Sequence, residues 1–299
     1  MEPDTPFTAR DYDGVTVLHA ANGGVVPYGN TVVVRGRDTV MVVDPSLAMH
    51  TDPVGADLVM ISHAHEDHLA GLRHFTADVH AHEADAEAVG SLDAMLAQYV
   101  PPGPERDRME QEVREVYGLD DGPGQVHAVR DGHVFDLGGG VTATVVALPG
   151  HTPGHSGLLI EPAGFLYVAD IDLTSFGPMY GDLHSSVDDF LASLDKVEGI
   201  EARWYGTFHH KGVVYGSADF RRRLGAYRDK LLSREDRLLS FLAVPHSLAD
   251  IVEHRLVYRP HVQAPWVVPV ERRTAELHLE RLLRAEQIVA DDDGRYRAL

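Results

Sequence analysis

The segment "ISHAHEDHLAGL", residues 61 to 72, constrains this chain more than any other stretch, because three histidines and an aspartate crowd into His63 to His68 directly after an apolar run. That run, "ADLVMIS", is rich in Val, Leu and Ile and short enough for a strand buried on both faces, which puts the cluster at a strand end. Open sheets carry their chemistry at strand ends. Imidazoles and a carboxylate packed together are costly when buried unpaired, whereas a divalent cation turns them into a set of coordinate bonds. Side chains two apart on extended backbone point the same way, so His63 and His65 can close on one ion. Asp67 and His68 follow as the segment turns and can reach a second ion beside the first.

Composition narrows the choices. The chain contains no cysteine, so disulfides, thiolate ligands and a Cys nucleophile are excluded and the metal ligands must be His, Asp or Glu. Its 299 residues, 44% of them hydrophobic, can bury a substantial core as one large domain or one domain with an appendage. A formal net charge of −20 opposes a polyanionic partner. The amino terminus "MEPDTPFTARDYDG" lacks the basic and apolar regions of an export signal, and no apolar stretch is long enough to span a membrane, so a cytoplasmic protein is expected.

Runs such as "GVTVLHA", "NTVVVRG", "DTVMVVD" and "DLVMIS" predict strands in quick succession. "HEADAEAVGSLDAML" and "PERDRMEQEVREVYG" predict helices, and residues 99–124 form a helical excursion that either walls a substrate pocket or fills a packing gap. "VTATVVALPG", "SGLLIEP", "FLYVAD" and "ARWYGTF" predict further strands, with an amphipathic helix over "SSVDDFLASLDKVEG". Three more strand ends carry metal-type residues. His151 lies in "LPGHTPGHSG" among turn-forming Gly and Pro, Asp170 ends the apolar run of "FLYVADIDL", and His209 and His210 lie in "GTFHHKG".

The order "HAHEDH", "PGHTPGH", "VAD" and a late strand-end histidine resembles the metallo-β-lactamase superfamily, in the branch with glyoxalase II and lactonases, over residues 12 to about 225. The resemblance implies a four-layer αββα sandwich with a dinuclear site at one edge of two sheets. Carried over by position, His63, His65 and His151 would hold the first metal, Asp67, His68 and a late histidine the second, and Asp170 would bridge them. His210 is preferred as the late ligand, with His209 the alternative, and Asp170 is preferred to Asp172 as the bridge. Asp44 and His155 would support the ligands without touching metal.

Two divalent ions, zinc expected with iron or manganese as alternatives, would lower the pKa of a bound water to about 7. The resulting hydroxide would attack a carbonyl of a small thioester, ester or lactone while Asp67 orients it and passes a proton to the leaving group. Asp170 at the bridge resembles the thioesterase and lactonase branches, although Leu173 stands where lactonases tend to carry Tyr. Phe176 and Tyr180 either line the substrate pocket or pack on the core, and Lys211 reads as a solvated lysine. Alternatives within the same superfamily are a phosphodiesterase or ribonuclease, and a single-iron sulfur dioxygenase.

Residues 229–299 differ in texture from the catalytic domain expected over 1–228. From Lys230 onward eleven Lys or Arg balance eleven Asp or Glu. Three amphipathic helices and a hairpin with an Asp-Gly turn resemble a winged helix. The charge balance leaves no basic face and the hairpin turn "ADDDGRY" is acidic, so nucleic acid is not expected as a partner. The tail reads instead as a lid or an oligomer surface, the latter compatible with a homodimer.

Overall fold

The computed structural model describes residues 7–264 and 266–299. Seven strands form the first sheet in chain order: β1 (Phe7–Tyr12), β2 (Val15–Ala20), β3 (Thr31–Arg35), β4 (Val40–Val43), β5 (Leu58–Ile61), β6 (Asp78–His82) and β7 (His127–Val129). The first four pair antiparallel, and β4 through β7 pair parallel. Six strands form the second sheet: β8 (Val134–Gly138), β9 (Val141–Ala147), β10 (Ser156–Glu161), β11 (Phe165–Tyr167), β12 (Trp204–Gly206) and β13 (Val213–Tyr215). They lie in the order β13-β12-β11-β10-β9-β8, with one parallel pair, β11 and β12.

The continuous apolar runs of the central strands reflect two covered faces. Val32, Val34, Met41 and Val43 point between the sheets, where they meet Leu158, Ile160, Phe165 and Tyr167 of the second sheet. Val33 and Val42, one residue out of phase, pack on the opposite face against Ala48 and Met49. One helical turn, α1 (Glu66–Leu69), begins inside the histidine segment. Helices α2 (Ala86–Gly90), α3 (Leu92–Leu96) and α4 (Pro104–Val116) cover the outer face of the first sheet, with Val59, Ile61, Val89, Leu92, Met95 and Val113 in one cluster. Helix α5 (Val187–Glu198) and the start of α6 (Ser217–Phe241) cover the second sheet through Phe190, Leu194, Phe220 and Leu224. The expected four-layer αββα sandwich is therefore present.

One local reading needs correction, and one strand carries no sequence signal. The helix expected over "HEADAEAVGSLDAML" is split, because Ser91 is extended (φ −149°, ψ 122°) and its hydroxyl caps α3 by accepting from the Ala94 N–H. Gly90 also abuts the Gly124 carbonyl, which would lie 2.7 Å from any Cβ added there. Strand β1, "FTARDY", has four exposed central residues and joins the sheet as a polar edge, without the apolar alternation that marks its neighbours.

The expected division at 228/229 falls inside α6, a single helix of 25 residues. Its stretch up to Leu231 packs on the sandwich through Phe220, Tyr227 and Leu231, and Leu238 near its end belongs to a separate core with Leu242, Ile251, Leu256 and Leu279. That core is completed by β14 (His246–Ser247), α7 (Leu248–His254), α8 (Val267–Arg284) and the hairpin β15 (Ile288–Ala290) with β16 (Arg295–Ala298). The three strands lie in the order β14-β16-β15. Ser247 and Asp250 form a reciprocal capping box that starts α7. Among the described residues, no helix is long and apolar enough to cross a membrane.

Candidate metal centre

Chain order delivers five strand ends to one edge of the sandwich. β4 leads to Asp44, β5 to Ser62 and His63, β9 to His151, β11 to Asp170 and β12 to His209. Asp44 and Ala169 take left-handed backbone conformations, φ 49° and 45°, that are uncommon for residues with a Cβ and turn the chain sharply as it leaves β4 and β11. The ligand atoms of His63, His65, His151 and Asp170 lie within 4.8 Å of one another, and those of Asp67, His68 and His209 do the same. Asp170 faces both groups. Its Oδ1 is 3.0 Å from His68 Nε2, and its Oδ2 is 3.4 Å from His151 Nε2 and 3.8 Å from His209 Nε2.

The hydrogen-bond partners assign the protons, and the assignment tests whether the residues suit cations. His151 donates from Nδ1 to the Met179 carbonyl (2.8 Å), leaving Nε2 bare. His65 donates from Nε2 to Asp182 Oδ2 (2.7 Å), leaving Nδ1 to face His151 Nε2 at 3.0 Å. Two nitrogens approach so closely only with a cation between or beside them. Burial lowers the pKa of His65, but the Asp182 carboxylate more than offsets this and raises it to about 9, so a proton supplies that cation where no metal does. Two nitrogens bound to one tetrahedral zinc at about 2.0–2.1 Å would sit roughly 3.3 Å apart, close to the observed spacing. His63 Nε2, His68 Nε2 and Asp170 Oδ1 are buried without a hydrogen-bond partner, the close His68–Asp170 approach failing on angle. Such orphaned donors and acceptors are rare in protein interiors, and a metal at each group would satisfy them.

The second group is oriented in the same way. His209 donates from Nδ1 to the Gly24 carbonyl (2.8 Å) and turns Nε2 toward Asp67 Oδ2 at 3.1 Å. Burial pulls the His209 pKa down, and the Asp170 and Asp67 carboxylates bring it up to about 9. His68 Nδ1 lies 2.9 Å from Asp44 Oδ2. Asp44 also accepts from the Ser62 N–H (2.7 Å) and the Tyr167 hydroxyl (2.7 Å), so its two oxygens are spent on support and none reaches a metal position. His155 donates from Nδ1 to the Leu148 carbonyl and accepts the Asp170 N–H at Nε2, which fixes the turn after β11. Burial and the neighbouring His151 lower its pKa to about 3, keeping that acceptor free of a proton.

His210, the preferred late histidine, does not enter either group. The Thr207 hydroxyl donates to the His209 carbonyl (2.7 Å) and accepts the Gly212 N–H (3.0 Å), closing a tight turn directly after β12. Within that turn His209 is aimed inward, whereas His210 has φ 54° and faces solvent. Asp172 also stays outside both groups, binding the N–H and hydroxyl of Thr174. Burial, then the charge of Asp170, raises its pKa to about 6. Tyr180 is fully buried, Leu173 is buried, and Phe176 and Lys211 are exposed. One end of the helical excursion reaches the site: the Tyr99 ring stacks on His65 and its hydroxyl donates to Glu66 (2.7 Å). A cavity of about 190 Å³ lies under α2 and α3, lined by Leu72, Val89, Leu92 and Met95, and none of the metal-type residues borders it.

Three supporting residues escape a reading of the sequence. Asp85, wholly buried, accepts from the Ala64 N–H, the Thr152 hydroxyl and the Gly154 N–H, and so ties the first histidine motif to the second. Asp182 and Tyr99 contact His65 from 117 and 34 positions away, a distance no local motif encodes. Gly150 has φ 128° and runs against α5, where an added Cβ would lie 2.3 Å from the Phe190 nitrogen, so only glycine lets the turn deliver His151.

The comparisons agree with the fold. A metallo-beta-lactamase family protein of Thermus thermophilus superposes with a TM-score of 0.70 at 22% identity, over 96% of this chain and 99% of its own. A beta-lactamase domain protein of Burkholderia ambifaria gives a TM-score of 0.71 at 18% identity, over 100% of this chain and 95% of its own. A Caenorhabditis elegans protein named beta-lactamase-like protein 2 homolog is 23% identical over 212 residues, which are 71% of this chain and 59% of that relative, so the match spans less than two thirds of the relative's length. The sequence pattern of the metallo-beta-lactamase superfamily matches residues 24–209, from the loop that holds His209 to His209 itself, and the chain belongs to that superfamily.

Proposed function

We propose that this chain is a hydrolase that uses two divalent ions, zinc being the expected metal, to cleave a small thioester, ester or lactone. The observation that carries the reading is Asp170, whose two oxygens face two separate groups of inward-turned histidine nitrogens. A single-iron site would leave Asp67, His68 and His209 without a purpose. When bound, the pair of ions would supply water deprotonated near neutral pH and a Lewis acid for the substrate oxygen. The chain's own contribution is to position and exclude. His65, His68, His151 and His209 are each held by a partner on the nitrogen that faces away from the centre, which sets ring orientation. Asp67 belongs to the second group, and its Oδ2 lies 3.1 Å from His209 Nε2. It is the residue assigned to orient the attacking water and protonate the departing group.

Exposed apolar residues on both rims favour a small carbonyl substrate over a phosphodiester. Val25 and Val26 follow Gly24, whose carbonyl holds His209, and Leu183 follows Asp182, which holds His65. A polyanion would meet apolar rims on a chain of net charge −20.

The carboxy-terminal unit runs helix, strand, helix, helix, strand, strand, the order of a winged helix, and we assign it to that class as a second domain sharing α6. Its longest helix of its own, α8, turns Arg273, Leu277, Arg281 and Arg284 toward the sandwich, which occupies the face a nucleic acid would need.

The test is metal content per chain on protein purified without added metal, with a generic thioester and a bis-phosphodiester assayed on the same sample. Two ions with thioester cleavage are expected. Phosphodiester cleavage alone would overturn the carbonyl assignment, and a single iron with neither activity would overturn the binuclear one.

A further inference from the structure

Residues 171–186 join Asp170 to α5 without strand or helix of their own, yet they orient two metal-type histidines. The Met179 carbonyl accepts a hydrogen bond from His151 Nδ1, and Asp182 accepts one from His65 Nε2. A segment without regular structure holds such positions only if something grips it from behind.

The grip comes from the carboxy-terminal half of the chain. Arg234 of α6, 3% exposed, donates to the carbonyls of Phe176 and Pro178 and places its guanidinium 5.3 Å from the Tyr180 ring centre. The Tyr180 hydroxyl meets His278 Nε2 at 3.0 Å, and His278 Nδ1 donates to Glu235. That bond fixes the His278 tautomer, so Nε2 is an acceptor and Tyr180 the donor. Gly181 lies so close to α8 that a Cβ there would come within 2.8 Å of Val270. Arg273 then donates from Nε to the Asp182 carbonyl at 3.2 Å. Val270, Arg273, Leu277, Arg281 and Arg284 fall at helical spacings of three and four, so one stripe of α8 faces the sandwich. Ala275, Leu279 and Leu282 form the other stripe and anchor the helix in its own core.

We propose that the carboxy-terminal unit is a positioning device for the first metal group, acting through Arg234, Tyr180 and Arg273 on the segment that carries Asp182 and the Met179 carbonyl. The inference rests on the binuclear reading given above. Asp182 is the positioning residue: its carboxylate fixes the His65 ring with Nδ1 inward and strengthens that nitrogen as a ligand. Arg273 acts one step further back, holding the Asp182 backbone. The second group needs neither, since Asp44 and the Gly24 carbonyl orient it.

The experiment loads full-length protein with zinc against a chromophoric chelator and with cobalt(II), whose visible spectrum reports ligand geometry, in wild type, Asp182→Asn, Arg273→Ala and Arg273→Lys. Asp182→Asn is expected to weaken one of the two ions by roughly 10–100-fold, leave the other unchanged, and alter the spectrum of the affected cobalt. Arg273→Ala is expected to weaken the same ion by roughly fivefold, the scale of one hydrogen bond, with Arg273→Lys restoring part of the loss. Wild-type affinity and spectrum in both Asp182→Asn and Arg273→Ala would overturn the inference while leaving the binuclear reading intact. Should Asp182→Asn fail to fold, the Arg273 pair decides alone. Absence of bound metal in the wild type would overturn both readings.

Discussion

The two metal groups sit side by side, but their supports come from opposite ends of the chain. His68 and His209 are oriented by Asp44 after β4 and by the loop after β2, both parts of the first half of the sandwich. His65 and His151 are oriented by the segment after Asp170, which in turn leans on α6 and α8. One group is therefore supported from within the first half of the sandwich, and the other is held by a loop that the carboxy-terminal helices restrain. Geometry that follows from strand pairing survives local damage elsewhere, whereas geometry held by a loop inherits the stability of whatever restrains the loop.

The comparison can be broken most severely at the residues themselves. His63→Ala is expected to lose the first ion, and Asp67→Ala to keep that ion while losing roughly 10²–10⁴-fold in turnover. Metal analysis beside a thioester assay checks both, and full activity in either variant would refute the assignment. Asp44→Asn is the mirror of the Asp182 variant: the second ion should weaken by roughly 10–100-fold with the first unchanged, read by the same chelator titration. Equal weakening of both ions would erase the distinction between the groups.

A stability variant sharpens the contrast. Leu279→Ala, in the core of the carboxy-terminal unit, should cost about 2–5 kcal/mol of that unit's stability and weaken only the first ion. Differential hydrogen exchange along α8, with and without zinc, would follow both effects. A smaller effect should appear with pH. Burial raises the Glu235 pKa, but the His278 hydrogen bond and Arg281 outweigh it and hold the carboxyl below the ordinary 4.5. A depressed folded pKa contributes stability above the ordinary value and loses it as pH falls through the folded one. Thermal melting of metal-free protein should thus decline below pH 4.5 less steeply in Glu235→Gln than in wild type. Smallest of all, Ser247→Ala should remove the α7 cap at a cost of about 1 kcal/mol, visible as a lower denaturation midpoint.

The sequence revealed the parts of this molecule whose causes are local. Central strands announce themselves because both faces are apolar, and α5 because its Ser cap, acidic first turn and terminal glycine lie within one segment. His63, His65, Asp67 and His68 are legible because six consecutive residues carry them all. The choice between His209 and His210 was not, since it depends on a Thr207 hydroxyl bonding across a turn rather than on residue type. Strand β1 was hidden because an exposed edge imposes no apolar period. Asp85 and Asp182 were hidden for a deeper reason: a carboxylate that supports a distant histidine has no neighbour in sequence to betray it.

Helix α6 bears on how far this chain can be divided. Leu224 and Leu231 lie in the sandwich's outer layer and Leu238 lies in the carboxy-terminal core, all on one uninterrupted rod. A cut at residue 228 would strip the sandwich of Leu231 and Arg234 and leave a frayed helix end over the segment that orients His65 and His151. The two units share a structural beam as adjoining rooms share a wall, so neither can be exchanged, trimmed or grafted without rebuilding the other. Any rearrangement of the tail, whether by a bound partner or by accumulated substitutions, would be transmitted along that beam to the metal edge.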